Sequence, residues 1–145
     1  MESEVLQMKN SVLFVCAGNT CRSPMAEFIL KRKCPELKVS SAGVYAIDGQ
    51  PMSNQAKVVL KAENYPIEEI EQFAARKISK EDLEVDNTIF VMNAFLKNVL
   101  YDLGRRENVF LLANNDIPDP FGQSVEDYQM VKNTIEQAIE KQLKN

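Results

Sequence analysis

Val12 to Val15 form a continuous apolar run that stops at Cys16, and Ala17-Gly18-Asn19-Thr20-Cys21 then intervene before Arg22-Ser23-Pro24. A short apolar run bounded by polar residues suits a strand buried on both faces. Ser23 supplies a helix N-cap with proline at the first helical position, and Met25, Ala26, Ile29 and Leu30 follow at helical spacing. The segment therefore reads strand, loop, helix. In open α/β sheets ligands sit beyond the carboxyl ends of strands, where this loop lies. Its backbone N–H groups, with the unsatisfied first-turn N–H groups of the helix, make a ready anion site. Gly18 permits backbone geometry that a side chain would hinder. Arg22 adds a planar fork suited to phosphate oxygens, and the same positive field favours a thiolate at Cys16.

The rest of the chain repeats the alternation. Leu37 to Ser41, Thr88 to Met92 and Val109 to Leu112 read as further strands. Ser53 opens a helix with Ala56, Val59 and Leu60 inward, Ser79 to Asp82 resembles a capping box, and Phe95 to Leu103 is a helix closed by Gly104. Ser124 opens the last helix, with Tyr128, Val131, Ile135, Ala138 and Ile139 on one face. This predicts a single-domain α/β fold: a four-stranded, mostly parallel twisted sheet flanked by helices, with the phosphate-binding loop between the first strand and first helix. Residues 1–10 read as a polar extension and 11–145 as the domain. One long, turn-rich loop stands out, Ala113 to Gln123, which contains Asp116-Ile-Pro-Asp119-Pro-Phe121-Gly122.

Composition narrows the chemistry. At 145 residues there is room for one core but not for separate cofactor and substrate domains. A net charge of −4 with no long basic run argues against nucleic-acid or anionic-membrane binding. No run has the length of a signal peptide or membrane span, so a cytoplasmic location is expected. Three cysteines and no histidine leave too few soft ligands for an ordinary zinc site, and no disulfide scaffold is expected. A catalytic cysteine must here work without a histidine base.

Cys16, five residues, Arg22-Ser23 on a strand–loop–helix, followed far downstream by Asp119-Pro120-Phe121-Gly122, resembles the low-molecular-weight protein tyrosine phosphatase family. The Ser-Pro-Met-Ala-Glu start of the first helix and the Ser41-Ala42-Gly43 turn extend the resemblance over nearly the whole chain. It implies that Cys16 is the nucleophile, Arg22 the clamp on the phosphoryl oxygens, and Asp119 the general acid and later base, with Asp116 the alternative acid. Ala17, Gly18, Asn19, Thr20, Cys21 and Ser23 would make the phosphate-binding loop. Asn19, Ser23 and Ser41 would hold its shape, and Tyr45 and Phe121 would wall the substrate. Cys21 would be a redox partner able to trap oxidised Cys16, whereas Cys34 reads as structural or exposed. The implied enzyme is monomeric, acts on phosphorylated proteins, and needs no metal or cofactor. The family often has a histidine three residues before the arginine corresponding to Arg76, supporting the loop; this chain has Phe73.

Thr20 bears on the substrate. Tyrosine phosphatases of the family commonly carry isoleucine there, and threonine resembles the protein arginine phosphatase branch. Both are β-branched, but threonine exchanges an apolar arm for a hydroxyl. A phenyl ring loses contact and a guanidinium gains an acceptor, so phosphoarginine is favoured, with phosphotyrosine as the alternative. Arsenate reductases share the loop but relay oxidation through later cysteines, and none follows Cys34 here. An inactive phosphate-binding module would keep the loop and lose the acid.

Overall fold

Phe14 and Leu13 are each about as buried as a side chain can be, at 1% exposure, and Val12 and Val15 match them. Side chains on both faces of one strand are thus removed from water, each worth about 1.5–3 kcal/mol relative to exposure. In the computed structural model, which describes residues 10–144, this strand is β1 (Ser11–Cys16) at the centre of the sheet. Residues 1–9 of the expected extension lie outside the described residues, as does residue 145.

The sheet order is β2 (Lys38–Gly43), β1, β3 (Thr88–Val91), β4 (Val109–Leu111). Every pairing is parallel, with Cys16 opposite Gly43 and Val15 opposite Val91. Parallel strands need crossover connections, and six helices among the described residues supply and cover them. These are α1 (Arg22–Lys33), α2 (Asn54–Ala62), α3 (Ile67–Gln72), α4 (Lys80–Glu84), α5 (Ala94–Asp102) and α6 (Val125–Lys144). Helix α1 packs on β1 and β2 and against α6, and α5 packs on β3 and β4. The inward faces expected for α1, α2 and α6 are buried. Among the described residues, no helix is long and apolar enough to cross a membrane.

Four local readings need correction. Helix α1 begins at Arg22 with Cys21 in the N-cap position, so Ser23 does not cap it; its hydroxyl is taken by Cys16 and Asn19. Ser53 sits at the N-cap of α2 without a side-chain capping bond. The Ser41-Ala42-Gly43 segment is the end of β2 rather than a turn. Helix α3 was not expected, because Ile70 is its one buried residue and no apolar period marks it. The capping box at Ser79 and Asp82 forms as read, and Ser124 accepts from the Asp127 N–H at the start of α6.

Candidate active site

The strand order reverses direction around β1, since β2 lies on one side and β3 on the other. Such a switch point opens a crevice beyond the strand ends, and the loop from Cys16 to Arg22 occupies it. Because all strands are parallel, the connection after β4 emerges at the same edge. This brings the Ala113 to Gln123 loop beside the first loop despite their distance in sequence.

The loop is held mainly through Asn19. This residue has φ of 57°, a left-handed conformation that asparagine tolerates better than most side chains. Its buried amide Nδ2 donates to Ser23 Oγ at 2.8 Å and to Ser41 Oγ at 2.9 Å, and its Oδ1 accepts from the Arg76 N–H at 2.9 Å. The Asn19 backbone N–H donates to Cys16 Sγ at 3.2 Å, and Ser23 Oγ lies 2.9 Å from the same sulfur. Cys16, Asn19, Ser23 and Ser41 are therefore one connected group. The left-handed residue of the loop is Asn19 rather than Gly18, whose missing side chain would meet nothing closer than Thr20 Oγ1 at 3.8 Å.

The glycine that close packing demands is Gly43. A Cβ there would lie 2.5 Å from the Ala17 carbonyl oxygen and 2.9 Å from the Asn19 nitrogen. Both are backbone atoms of the loop, so they cannot rotate aside. Gly43→Ala should displace the loop, costing about 1–3 kcal/mol of stability and weakening competitive inhibition by phosphate. A parent-like phosphate inhibition constant together with a parent-like urea midpoint would show that the loop yields without cost.

Arg22 is 4% exposed. Its Nη1 donates to the Ile117 carbonyl at 2.9 Å and its Nη2 lies 3.7 Å from Asp119 Oδ2. Among the described residues its Nε is a buried donor without a hydrogen-bond partner. An orphaned guanidinium donor costs desolvation unless an acceptor meets it, so this atom fits an oxyanion. Ile117 is itself held by its N–H to the Met92 carbonyl at the end of β3. The acid loop is thus pinned to both the sheet and the arginine.

Asp119 stands between Pro118 and Pro120 with its side chain 51% exposed. Its Oδ1 accepts from the Phe121 N–H at 3.1 Å, which fixes the carboxylate over a turn closed by Gln123 N–H to the Pro120 carbonyl. Gly122, with φ of 78°, supplies the positive φ this turn requires. Asp116 is occupied elsewhere: its Oδ1 accepts from the Ala94 N–H at the start of α5. Tyr45 and Phe121, at 61% and 71% exposure, are free of the core, and the Tyr45 N–H bonds the Ala17 carbonyl of the loop.

Cys21 is buried, with Sγ 3.1 Å from the Tyr128 hydroxyl and 3.6 Å from Ser53 and Thr20 oxygens. Burial, then the bond with Cys21, pushes the Tyr128 hydroxyl up to about 12, so it stays protonated. Cys34 is buried rather than exposed, and burial, then Glu36, raises its thiol above the ordinary range. Phe73 is half-buried, its ring 6.4 Å from that of Phe28. Sequence reasoning missed Glu27, Tyr128 and Ser53 as neighbours of loop residues; an acid within the buried stretch of α1 is the one such signal the sequence carries. Among the described residues no group of three or more His, Cys, Asp or Glu is placed to hold a metal ion.

Comparisons with known proteins give the family. A "Low molecular weight protein-tyrosine-phosphatase PtpB" of Staphylococcus epidermidis is 33% identical over 136 residues, covering 90% of this chain and 94% of that protein. A "Protein-arginine-phosphatase" of Geobacillus stearothermophilus is 34% identical over 143 residues, covering 92% and 94%. The solved YwlE arginine phosphatase from Geobacillus stearothermophilus superposes with a TM-score of 0.84 at 31% identity, covering 92% of this chain and 90% of that one. The family model for low molecular weight phosphotyrosine protein phosphatase matches residues 11–145, and with it the chain belongs to that family of protein phosphatases.

Proposed function

We propose that this phosphatase hydrolyses phosphoarginine side chains of proteins through a cysteinyl-phosphate. Cys16 Sγ attacks phosphorus while Arg22 and the loop N–H groups hold the oxygens. The P–N bond breaks, and its electron pair takes the proton of Asp119, releasing the arginine side chain. Water then attacks the cysteinyl-phosphate, giving its proton to Asp119, and the S–P bond breaks to free phosphate and restore the thiolate. Splitting the transfer this way replaces one difficult step by two easier ones. Cys21 is placed in the same reading as the thiol that can resolve oxidised Cys16 once it leaves Tyr128.

The observation that carries the substrate choice is Thr20. It is half-buried on the loop, and its hydroxyl makes a long 3.6 Å contact with Cys21 Sγ. That leaves an acceptor for a guanidino N–H beside the cradle. The Geobacillus relative named as an arginine phosphatase supports the reading. Phosphotyrosine is the second reading, favoured by the exposed rings of Tyr45 and Phe121 and by the Staphylococcus relative.

Side-by-side turnover of phosphoarginine and phosphotyrosine peptides tests the choice. The parent should have the higher kcat/KM on phosphoarginine. Thr20→Ile should lower that value on the order of 10- to 100-fold, the cost of about 1–3 kcal/mol for one lost polar contact, while sparing or raising phosphotyrosine turnover. Equal loss on both substrates would assign Thr20 to loop shape and make phosphotyrosine the better reading.

A further inference from the structure

Three of the four most exposed aromatic rings among the described residues, Tyr45, Phe95 and Phe121, stand where the chain leaves the carboxyl edge of the sheet, the edge that holds the Cys16 loop. Ile47, at 65% exposure, joins them there. Single exposed apolar side chains need no explanation, but several gathered around one crevice mark an interaction surface. Tyr45 and Phe121 are accounted for as walls around the phosphorylated side chain. Ile47 follows β2 and Phe95 follows β3, so they lie on opposite sides of the loop that follows β1.

Both residues are held in place. After β2 the side chains alternate, with Val44 and Ala46 buried and Tyr45 and Ile47 outward. The Tyr45 N–H is tied to the Ala17 carbonyl, and just past Ile47 the Gly49 N–H donates to the Ala75 carbonyl at 2.8 Å. Asp48 Oδ1 accepts from the Lys77 N–H at 2.7 Å. Phe95 occupies the first turn of α5, which Asn93 caps by accepting from the Leu96 N–H at 2.8 Å. The bond from the Ala94 N–H to Asp116 attaches that turn to the acid loop. Leu96 and Leu100 supply the buried face of α5, so the Phe95 ring is not part of the core. Helix side chains lean toward the helix N-terminus, which tilts this ring toward the catalytic edge.

We infer that Ile47 and Phe95 bind the substrate protein itself, taking large apolar side chains that flank the phosphorylated residue. This rests on reading the Cys16 loop as the phosphoryl site. The occupant is the substrate because the surface is continuous with that site, and the family to which the chain belongs acts on proteins. Since β2 and β3 are the two neighbours of β1, they stand about 10 Å apart. An extended segment covers that span in about three residues, so the apolar side chains recognised lie within about two positions of the phosphorylated one.

The test uses peptides with leucine or with serine at the two positions on each side of the phosphorylated residue. Each is made with phosphoarginine and with phosphotyrosine, and p-nitrophenyl phosphate serves as a substrate without flanks. The parent should show a KM about tenfold lower for leucine flanks than for serine flanks, in whichever series it turns over faster. Ile47→Ala and Phe95→Ala should each raise the leucine-peptide KM about 3- to 10-fold. Their kcat, serine-peptide KM and p-nitrophenyl phosphate turnover should stay within about twofold of the parent. Phe95→Leu should keep most of the preference, since it keeps most of the apolar surface. For a peptide that is not turned over, competition against p-nitrophenyl phosphate reads the same difference as inhibition constants. The choice between phosphoarginine and phosphotyrosine is read from the serine-flanked pair alone, so it can fail while the flank comparison stands. Equal affinity for the two flanks in the parent would overturn the inference, as would a loss in the variants that extends equally to the serine peptide and to p-nitrophenyl phosphate. A parent that sediments as a dimer at assay concentration, with both alanine variants monomeric, would give the surface to a second copy of the chain and overturn it too.

Discussion

Cys16→Ser is expected to abolish turnover while leaving the cradle able to bind oxyanions. A serine hydroxyl needs a base to become a nucleophile, and the chain contains no histidine to serve as one. The groups that would hold the phosphoryl oxygens are untouched: Arg22, anchored on the Ile117 carbonyl, and the loop backbone, anchored through Asn19 to Ser41 and Arg76. Phosphate or vanadate should inhibit the parent competitively and still raise the melting temperature of Cys16→Ser. At a ligand concentration of 100 times Kd the stabilisation is about 2.7 kcal/mol, easily seen as a thermal shift. Arg22→Ala should lose that shift, because the buried Nε donor that lacks a protein partner goes with it. Chelators should leave parent activity unchanged. Turnover by Cys16→Ser within tenfold of the parent, or inactivation of the parent by metal removal, would sink the cysteinyl-phosphate mechanism.

The parts of this fold that could be read ahead were those whose chemistry is local. The apolar stretch before Cys16 forms a strand because four consecutive side chains can all be buried, and no distant partner changes that. The turn around Asp119 was legible for a similar reason, since two flanking prolines restrict its backbone, whereas its assignment as the acid came from the family resemblance alone. Ser23 was misread because either use of its hydroxyl, capping α1 or bonding inward, is locally plausible. Asn19 and Cys16 decide the matter, through contacts made only when the loop closes. Gly43 was read as a turn residue for the same reason. Its need to be glycine comes from Ala17 and Asn19, which are brought against it by the pairing of β1 with β2. Helix α3 was invisible because its single buried side chain, Ile70, cannot establish a period.

Glu27 shows how tertiary structure changes the meaning of a residue. An acid in the middle of a helix ordinarily faces solvent. Here α1 is covered by the sheet and α6, and every residue from Arg22 to Leu30 is buried. A carboxylate in that stretch must find donors, and Ser41 and Lys31 are the donors within reach.

Asp119→Asn is expected to lower kcat on the order of 10²- to 10⁴-fold on substrates whose leaving group must be protonated, the range for losing a general acid. Asparagine keeps the shape of the side chain and an oxygen for the Phe121 N–H, so the turn and its attachment to Arg22 through Ile117 should survive. What it cannot do is give a proton to the departing nitrogen or oxygen, or take one from water. The loss should therefore depend on the leaving group in the first step. Phosphoarginine and phosphotyrosine peptides should suffer more than p-nitrophenyl phosphate, whose nitrophenolate departs without a proton. With that good leaving group, the missing base should instead slow breakdown of the cysteinyl-phosphate, so a burst of nitrophenol should precede a slow steady state. Asp116→Asn is the internal control, since its carboxylate is engaged by the Ala94 N–H and should leave turnover within about threefold of the parent. Equal loss from the two substitutions, or an Asp119→Asn deficit that is the same for every leaving group with no burst, would remove Asp119 from the proton-transfer role and leave it as a residue of the turn.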